Sequence, residues 1–474
     1  MADTKKVFIK AFLRKSCEIY GTTHYFSKGE IIMKKCTKLV SVFTLAMLAM
    51  VGCSNKTSDT GKDSGNTSAK ASESSKGEET TIKEELVIGS PTKQQDWVKT
   101  KVENYLADNG LSTKYTVKMF ALEEGDVNNA SAVPDWTAKT APDIYAYASD
   151  QTLNLVAKGA LAQVPSTFAS AMKTAMGDDA MAAAEVGGKT YGYPYAGDNG
   201  YFLYYNKSVF SGKEAKLETF DDVVSVCKDA GLKVSYNLSN TFYSTGLMFT
   251  FGARYSVTLS SDSKTIASVS ADFNGEKGMK AIKAMKAIVN NTSVDCTSTG
   301  QKAPTTANGL GACVDGSWNA AAYKEAMGDD YACIKLPSVT VDGETKNIGS
   351  FLGYKLYGVN PSKTGTDSTK LGVLHKIANY LVSKDVQVAR FNDLTIAPTI
   401  TEVKNSDAVK NTPHVAALAA QASYSVAQTI VPNNIWQEST APYTELVKAE
   451  NKDADETKLQ SILDAYNTAV KTVA

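Results

Sequence analysis

Residues Gly187–Ser208 read GGKTYGYPYAGDNGYFLYYNKS. Six of the chain's 23 tyrosines fall between Tyr191 and Tyr205, interleaved with Gly, Pro, Asp and Asn rather than with helix formers. Two chemistries compete for this stretch: a Gly-Lys-Thr loop wrapped around a phosphate, or tyrosines that form a contact surface. A phosphate loop needs a glycine five residues before its Gly-Lys pair, so that successive N–H groups enclose the anion. That position is Ala183, inside the helix-like run DDAMAAAEV. Gly188-Lys189-Thr190 therefore reads as a turn with Tyr191 beside it, and the tyrosines as a contact surface. Phe202, Tyr204 and Tyr205 read instead as strand core.

Working outward, the flanks alternate strand and helix. Glu85–Ser90 (ELVIGS) and Tyr115–Leu122 (YTVKMFAL) are strand-like, and APDIYAYAS from Ala141 is a third such run. Between the first two, residues 94–109 place Val98, Val102, Tyr105 and Leu106 at helical spacing, with Gly110 as the stop. A polar helical stretch is expected between the second and third. Strands alternating with helices imply an α/β fold with a parallel sheet, and ligands on such sheets collect beyond the carboxyl ends of the strands. Those ends are Gly89–Lys93 and Tyr145–Asp150. Further helices are marked by Met279, Ile282, Met285 and Val289, by Leu374, Ile377, Ala378 and Leu381, and by Leu459, Ile462, Leu463, Tyr466 and Val470.

The 474 residues, 43% of them apolar, suffice for two or three domains. Positive charge is concentrated at the start. Residues 1–52 carry nine Lys/Arg against three Asp/Glu, and the rest is net −6, which argues against nucleic acid as a partner. The cause is MKKCTKLVSVFTLAMLAMVGC, Met33–Cys53: a basic start, then an apolar run from Leu39 to Val51 too short for a permanent span. This is an export signal. Its end, AMVGC, resembles the lipobox of bacterial lipoproteins, which implies cleavage before Cys53 and acylation of its thiol. An ordinary signal peptide cut near Gly52, or a membrane anchor, is the alternative. Residues 1–32 fit neither signal nor domain and read as a mis-called extension ahead of a true start at Met33, with a genuine cytoplasmic tail as the alternative. Residues 54–81, a Ser/Thr/Lys/Gly/Asp/Glu mixture with no large apolar residue, read as a disordered tether averaging roughly 30 Å end to end as a flexible coil.

No catalytic signature appears. GLGACVDG places Val314 where a dinucleotide fingerprint needs its third glycine, and no G-x-S-x-G, H-E-x-x-H or EF-hand loop occurs. No cofactor and no metal is called for, since only His375 and His414 remain after the signal. Cys227, Cys296, Cys313 and Cys333 include no C-x-x-C pair, leaving two readings: buried free thiols, or a Cys296–Cys313 bridge permitted by export.

Six segments in order resemble the extracellular solute-binding proteins of ABC importers, within them the maltose and maltodextrin-binding group: ELVIG, APDIYAYASDQTLNLVAKGALAQV, GGKTYGYPYAGDNGYFLYYNKSVF, VDGSWNAAAYKEAMGDDYACIKLP, SFLGYKLYGVNPSK and HKIANYLVSKDVQVARFNDLTIAPT. The resemblance implies a two-lobed periplasmic-binding-protein (Venus-flytrap) fold with a hinge and an interlobe cleft. Residues 83–197 with 357–397 would form one lobe and 198–356 with 398–474 the other. Gly187–Tyr195 would enter the first crossing and Tyr357–Pro361 the second.

A sugar presents an apolar C–H face and a hydroxyl rim, so its site needs flat aromatic surfaces flanked by hydrogen-bonding groups. The tyrosine cluster fits that need. The resemblance also implies ligand contacts at Lys93, Tyr147, Asp150, Asp198, Asn240, Phe242, Trp318 and Trp436. Thr92 and Asn240 stand where maltose binders commonly carry acids, and Trp436 sits at a shifted place. Trp97 reads equally as helix packing or cleft lining. The implied partners are an oligosaccharide, the transmembrane permease of an ABC importer and, through Cys53, the membrane, with the protein monomeric. A receptor for a different oligosaccharide, or a secreted glycan hydrolase with two acids flanking the cleft, stays open.

Overall fold

The computed structural model describes residues 83–364 and 367–473. The expected extension, export signal, Cys53 and tether lie outside them. Apolar runs build the first part of the sheet. Strand β1 (Glu84–Ser90) is buried from Leu86 onward, pairs in parallel with β2 (Tyr115–Ala121) along its length, and joins β3 (Ile144–Ala148) at Ile88 and Gly89. Helix α1 (Gln95–Asp108) connects β1 to β2 and buries Val98, Val102 and Leu106, four residues apart on one face. It stops at Asn109-Gly110, where Gly110 takes a φ of 66° that a β-carbon disfavours.

The helix expected between β2 and β3 does not form, because residues 122–143 fold as successive turns. Asn129 and Asp135 accept bonds from the N–H and hydroxyl groups of Ser131 and Thr137, local pairings that compete with a helix. The Gly187-Gly188 pair, with φ of 58° and 72°, turns a hairpin between Glu185–Val186 and Lys189–Thr190, as a turn there requires.

The tyrosine-rich stretch is strand β4 (Tyr193–Asn206), fourteen residues long and buried on both faces. With β5 (Lys233–Tyr236), β6 (Val294–Asp295), β7 (Leu310–Gly316), β8 (Tyr331–Ile334), β9 (Ser350–Val359) and β10 (Ser425–Ala427) it completes a ten-stranded sheet. The order is β6-β5-β7-β4-β9-β3-β1-β2, with β8 added to β4 and β10 to β9. Early in β4 its partner is β9; from Tyr201 onward it pairs with β7, and β8 joins at Leu203.

Two large cores follow from this division. Tyr193, Tyr195, Tyr357 and Val359 pack with Leu86, Ile88 and Val98, whereas Tyr201, Leu203 and Phe351 pack with Val234, Leu247 and Leu463. The fold is thus two-lobed α/β, and β4 and β9 cross between the lobes side by side. The crossings lie at Gly197–Gly200 and Leu352–Lys355, where Gly200 pairs Leu352 and Ala196 pairs Lys355 and the register shifts. Tyr193 and Tyr357 pair within the first lobe. Ile400 and Val403 also remain in the first core, beyond the expected boundary at 397.

Helices α2 (Thr241–Met248), α3 (Glu276–Val289), α4 (Ala320–Met327), α5 (Ser368–Leu381), α6 (Lys384–Leu394) and α7 (Glu456–Lys471) surround the sheet, and the three expected stripes fall on α3, α5 and α7. Among the described residues no helix is long and apolar enough to cross a membrane. Cys227, Cys296, Cys313 and Cys333 are all free thiols, which removes the Cys296–Cys313 bridge. Burial pushes the thiols of Cys227 and Cys296 up to about 12, so both stay protonated and inert at neutral pH.

Candidate functional site

A cleft of about 1440 Å³ is lined from both lobes and floored by the crossing strands. Seven of the eight expected contacts, Lys93, Asp150, Asp198, Asn240, Phe242, Trp318 and Trp436, line it. The eighth, Tyr147, does not. Alternation along β3 sends Tyr147 into the core, with none of its surface exposed, while Ala148 faces the cleft. Tyr193, Tyr195 and Tyr201 of β4 fail in the same way: they are fully buried, as are Phe202 and Tyr204, read as strand core, because a central strand covered on both faces hides both alternating sets. What that stretch gives the cleft is Asp198 and Asn199.

The first-lobe wall is polar and stands at carboxyl ends of parallel strands. Lys93 is exposed in the turn after β1; Glu123 and Glu124 follow β2; Asp150 and Gln151 follow β3. Glu123 accepts the Thr92 N–H at 3.0 Å, and Glu124 accepts the Tyr195 hydroxyl at 2.6 Å. Asp150 is 8% exposed; one carboxylate oxygen takes the Gln151 amide, while Oδ1 has no donor. Burial raises its carboxyl to about 6, partly offset by its own backbone N–H and the amides of Gln151 and Gln428.

The second-lobe wall is aromatic. Asn240 caps α2 by accepting the Phe242 N–H at 2.9 Å, which fixes the ring of Phe242 at the cleft. Trp318 and Trp436 lie 6.0 and 6.4 Å from that ring, and Phe351 stacks beneath it at 5.8 Å. Trp318 sits in a short turn ahead of α4 and leaves 41% of its surface exposed. Its indole lies over Gly316, where an added β-carbon would come within 2.1 Å of the ring. Asp315, fully buried, accepts from Tyr243, Tyr323, Asn319, Gln301 and the Gly316 N–H, which locks the turn carrying Trp318. Trp97 packs outside the cleft, its indole N–H donating to Asp393.

On the floor, Lys355 reaches across from β9 to Asp198 on β4 at 3.3 Å and approaches Glu124 at 4.0 Å. Burial alone would lower its ammonium, but the Asp198 and Glu124 carboxylates outweigh it and hold it above the usual lysine value. Among the described residues no cluster of three or more His, Cys, Asp or Glu could hold a metal ion.

The sequence profile of the bacterial extracellular solute-binding proteins matches residues 101–417. The chain belongs to that family. Among solved structures, one determined with acarbose shares 25% identity at a TM-score of 0.70, covering 82% of this chain and 99% of its own. The maltodextrin-binding protein MalE1 from L. casei BL23, without ligand, shares 20% at 0.66 and covers 83% of this chain and 100% of its own. The maltose-maltodextrin binding protein of Alicyclobacillus acidocaldarius shares 18% at 0.64, covering 81% and 100%. Among curated proteins none matches.

In this solute-binding protein, several cleft residues escaped the sequence reading. Glu123 and Glu124 stand beyond the carboxyl end of β2, the same strand-end position that marks Lys93 after β1 and Asp150 after β3. Lys355 is the lone charge in the otherwise uncharged SFLGYKLYGV, a signal for a buried ion pair. Gln301, Asn319 and Gln428 carry no local signal, because only the tertiary fold turns them toward the cleft.

Proposed function

We propose that this solute-binding protein is a lipid-anchored receptor that captures an oligosaccharide of the maltodextrin type in the interlobe cleft, closes on it and passes it unaltered to an ABC permease. The carrying observation is the division of the cleft into an aromatic wall of Phe242, Trp318 and Trp436 and a facing polar wall of Glu123, Glu124, Asp150 and Gln151. That division suits a ligand with apolar ring faces and a hydroxyl rim. The site residues are those seven cleft positions, with Lys355 and Gln428 added. Solved relatives described with maltodextrin, maltotetraose and acarbose favour an α-glucan over other saccharides.

A thermal-shift panel of oligosaccharides tests the reading, since a ligand of the folded state alone raises its midpoint. Maltotriose to maltoheptaose should raise it and be recovered at their original lengths. No shift with any of them, or a time-dependent appearance of shorter sugars, would overturn it. The anchor is tested separately: Cys53→Ala in a bacterial host should release a folded protein from the membrane fraction, and retention would rule the anchor out.

A further inference from the structure

We infer that Arg390 is a positioning residue of the cleft, acting through Tyr195 and Trp97 to set the carboxylates of Glu124 and Asp393. It lies on α6, three residues before Asp393, and is 1% exposed. Among the described residues no carboxylate forms an ion pair with it. Its guanidinium donates to the Tyr357 hydroxyl at 3.0 Å and the Leu381 carbonyl at 3.3 Å, and Nε has no partner. What surrounds the charge is aromatic: Cζ stands 4.5 Å from the Tyr195 ring centre, 4.9 Å from Trp97 and 5.4 Å from Tyr357. A buried guanidinium is costly unless its field is used. Here it is spread over three ring faces.

Two of those rings end in a bond to a carboxylate that lines the cleft. The Tyr195 hydroxyl donates to Glu124 at 2.6 Å, and the Trp97 indole N–H donates to Asp393 at 2.8 Å. Tyr195 and Tyr357 stack at 4.5 Å across the paired β4 and β9, just before those strands cross to the other lobe. A cation over an aromatic face draws charge from the ring and makes its O–H or N–H a stronger donor. One side chain behind the wall therefore orients two acceptors that arrive from separate segments, the turn after β2 and the end of α6.

The test has a ligand-free readout and a binding readout, of which only the second rests on the saccharide reading. In the ligand-free protein, the Trp97 indole N–H resonance is identified by its disappearance in Trp97→Phe. Arg390→Met should make that proton exchange faster with water, as Asp393→Asn should. Arg390→Gln, which removes the charge but keeps a planar polar head, should show the same acceleration if the methionine variant does not fold, and Arg390→Lys, which keeps the cation, should stay near the parent rate. An unchanged exchange rate overturns the inference. For binding, Arg390→Met should weaken maltotetraose about tenfold, the order of one lost charge-assisted hydrogen bond. In a Tyr195→Phe/Trp97→Phe background the same change should weaken it no further. A full additional tenfold loss there would show that Arg390 does not act through these two rings. A parent protein that ignores maltotetraose would refute the saccharide reading, while the exchange measurement would still decide the role of Arg390.

Discussion

Replacing Trp318 by alanine separates a ligand platform from a core residue. Its exposed share, 41%, is the surface a ligand could cover. For a tryptophan of roughly 250 Å² this is about 100 Å², and at ~25 cal/mol per Å² full coverage is worth about 2.5 kcal/mol. Contact on one face only would give about half of that. Trp318→Ala should therefore weaken oligosaccharide binding roughly 8- to 60-fold. Folding should suffer less, because the indole lines an open cleft and its loss leaves no sealed cavity. A cost below about 2 kcal/mol is expected, against about 3 to 5 for a fully enclosed tryptophan. Titration calorimetry with maltotetraose and urea unfolding of the same variant check both numbers. Unchanged affinity together with a loss of stability above 3 kcal/mol would refute the reasoning, since the ring would then be packing and nothing more.

Asp150→Asn should show a trade-off that depends on pH. With its carboxyl raised to about 6 in the folded protein and near 3.9 when unfolded, the native state binds the proton more readily, so ionisation costs stability as pH rises from 4 to 6. The variant should therefore melt higher than the parent at pH 8 and alike at pH 4, while binding maltotetraose more weakly at pH 8; equal melting at both values would contradict this. His375, which shares a 2.8 Å bond with Tyr193, is lowered to about 4 by burial, so its contribution runs the other way. It is complete above pH 6.5 and is lost as pH falls through 4, and His375→Gln should flatten that loss in melts between pH 6.5 and 4. Lys355→Met leaves Asp198 and Glu124 without their buried cation and should cost about 3 to 5 kcal/mol in chemical denaturation.

The fold was legible where residue pattern and burial agree. ELVIGS and the 3.6-residue stripes of α3, α5 and α7 bury what their apolar positions require, so both element type and inward face could be read. Asp150, Trp318 and Phe242 were reachable because each sits at an element end, where a side chain can leave the core. Tyr193, Tyr195 and Tyr201 of β4 and Tyr147 of β3 were not, since a sequence of Tyr, Gly and Asp looks the same in a surface groove as in a doubly covered strand. Whether Tyr147 or Ala148 faces the cleft depends on a single step of strand phase, and only the packed sheet supplies that phase. The crossing points carry no local signal for a related reason: they are set by pairing of Ala196 with Lys355 and Gly200 with Leu352, contacts more than 150 positions apart.

The central claim is that the cleft holds an oligosaccharide and returns it unchanged. Native mass spectrometry of the protein after overnight incubation with maltotetraose addresses it in one spectrum. A one-to-one complex carrying the mass of the intact tetrasaccharide is expected, lost when Trp318 is replaced by alanine at the same sugar concentration. Free protein alone, or a complex carrying a shorter sugar, would contradict it.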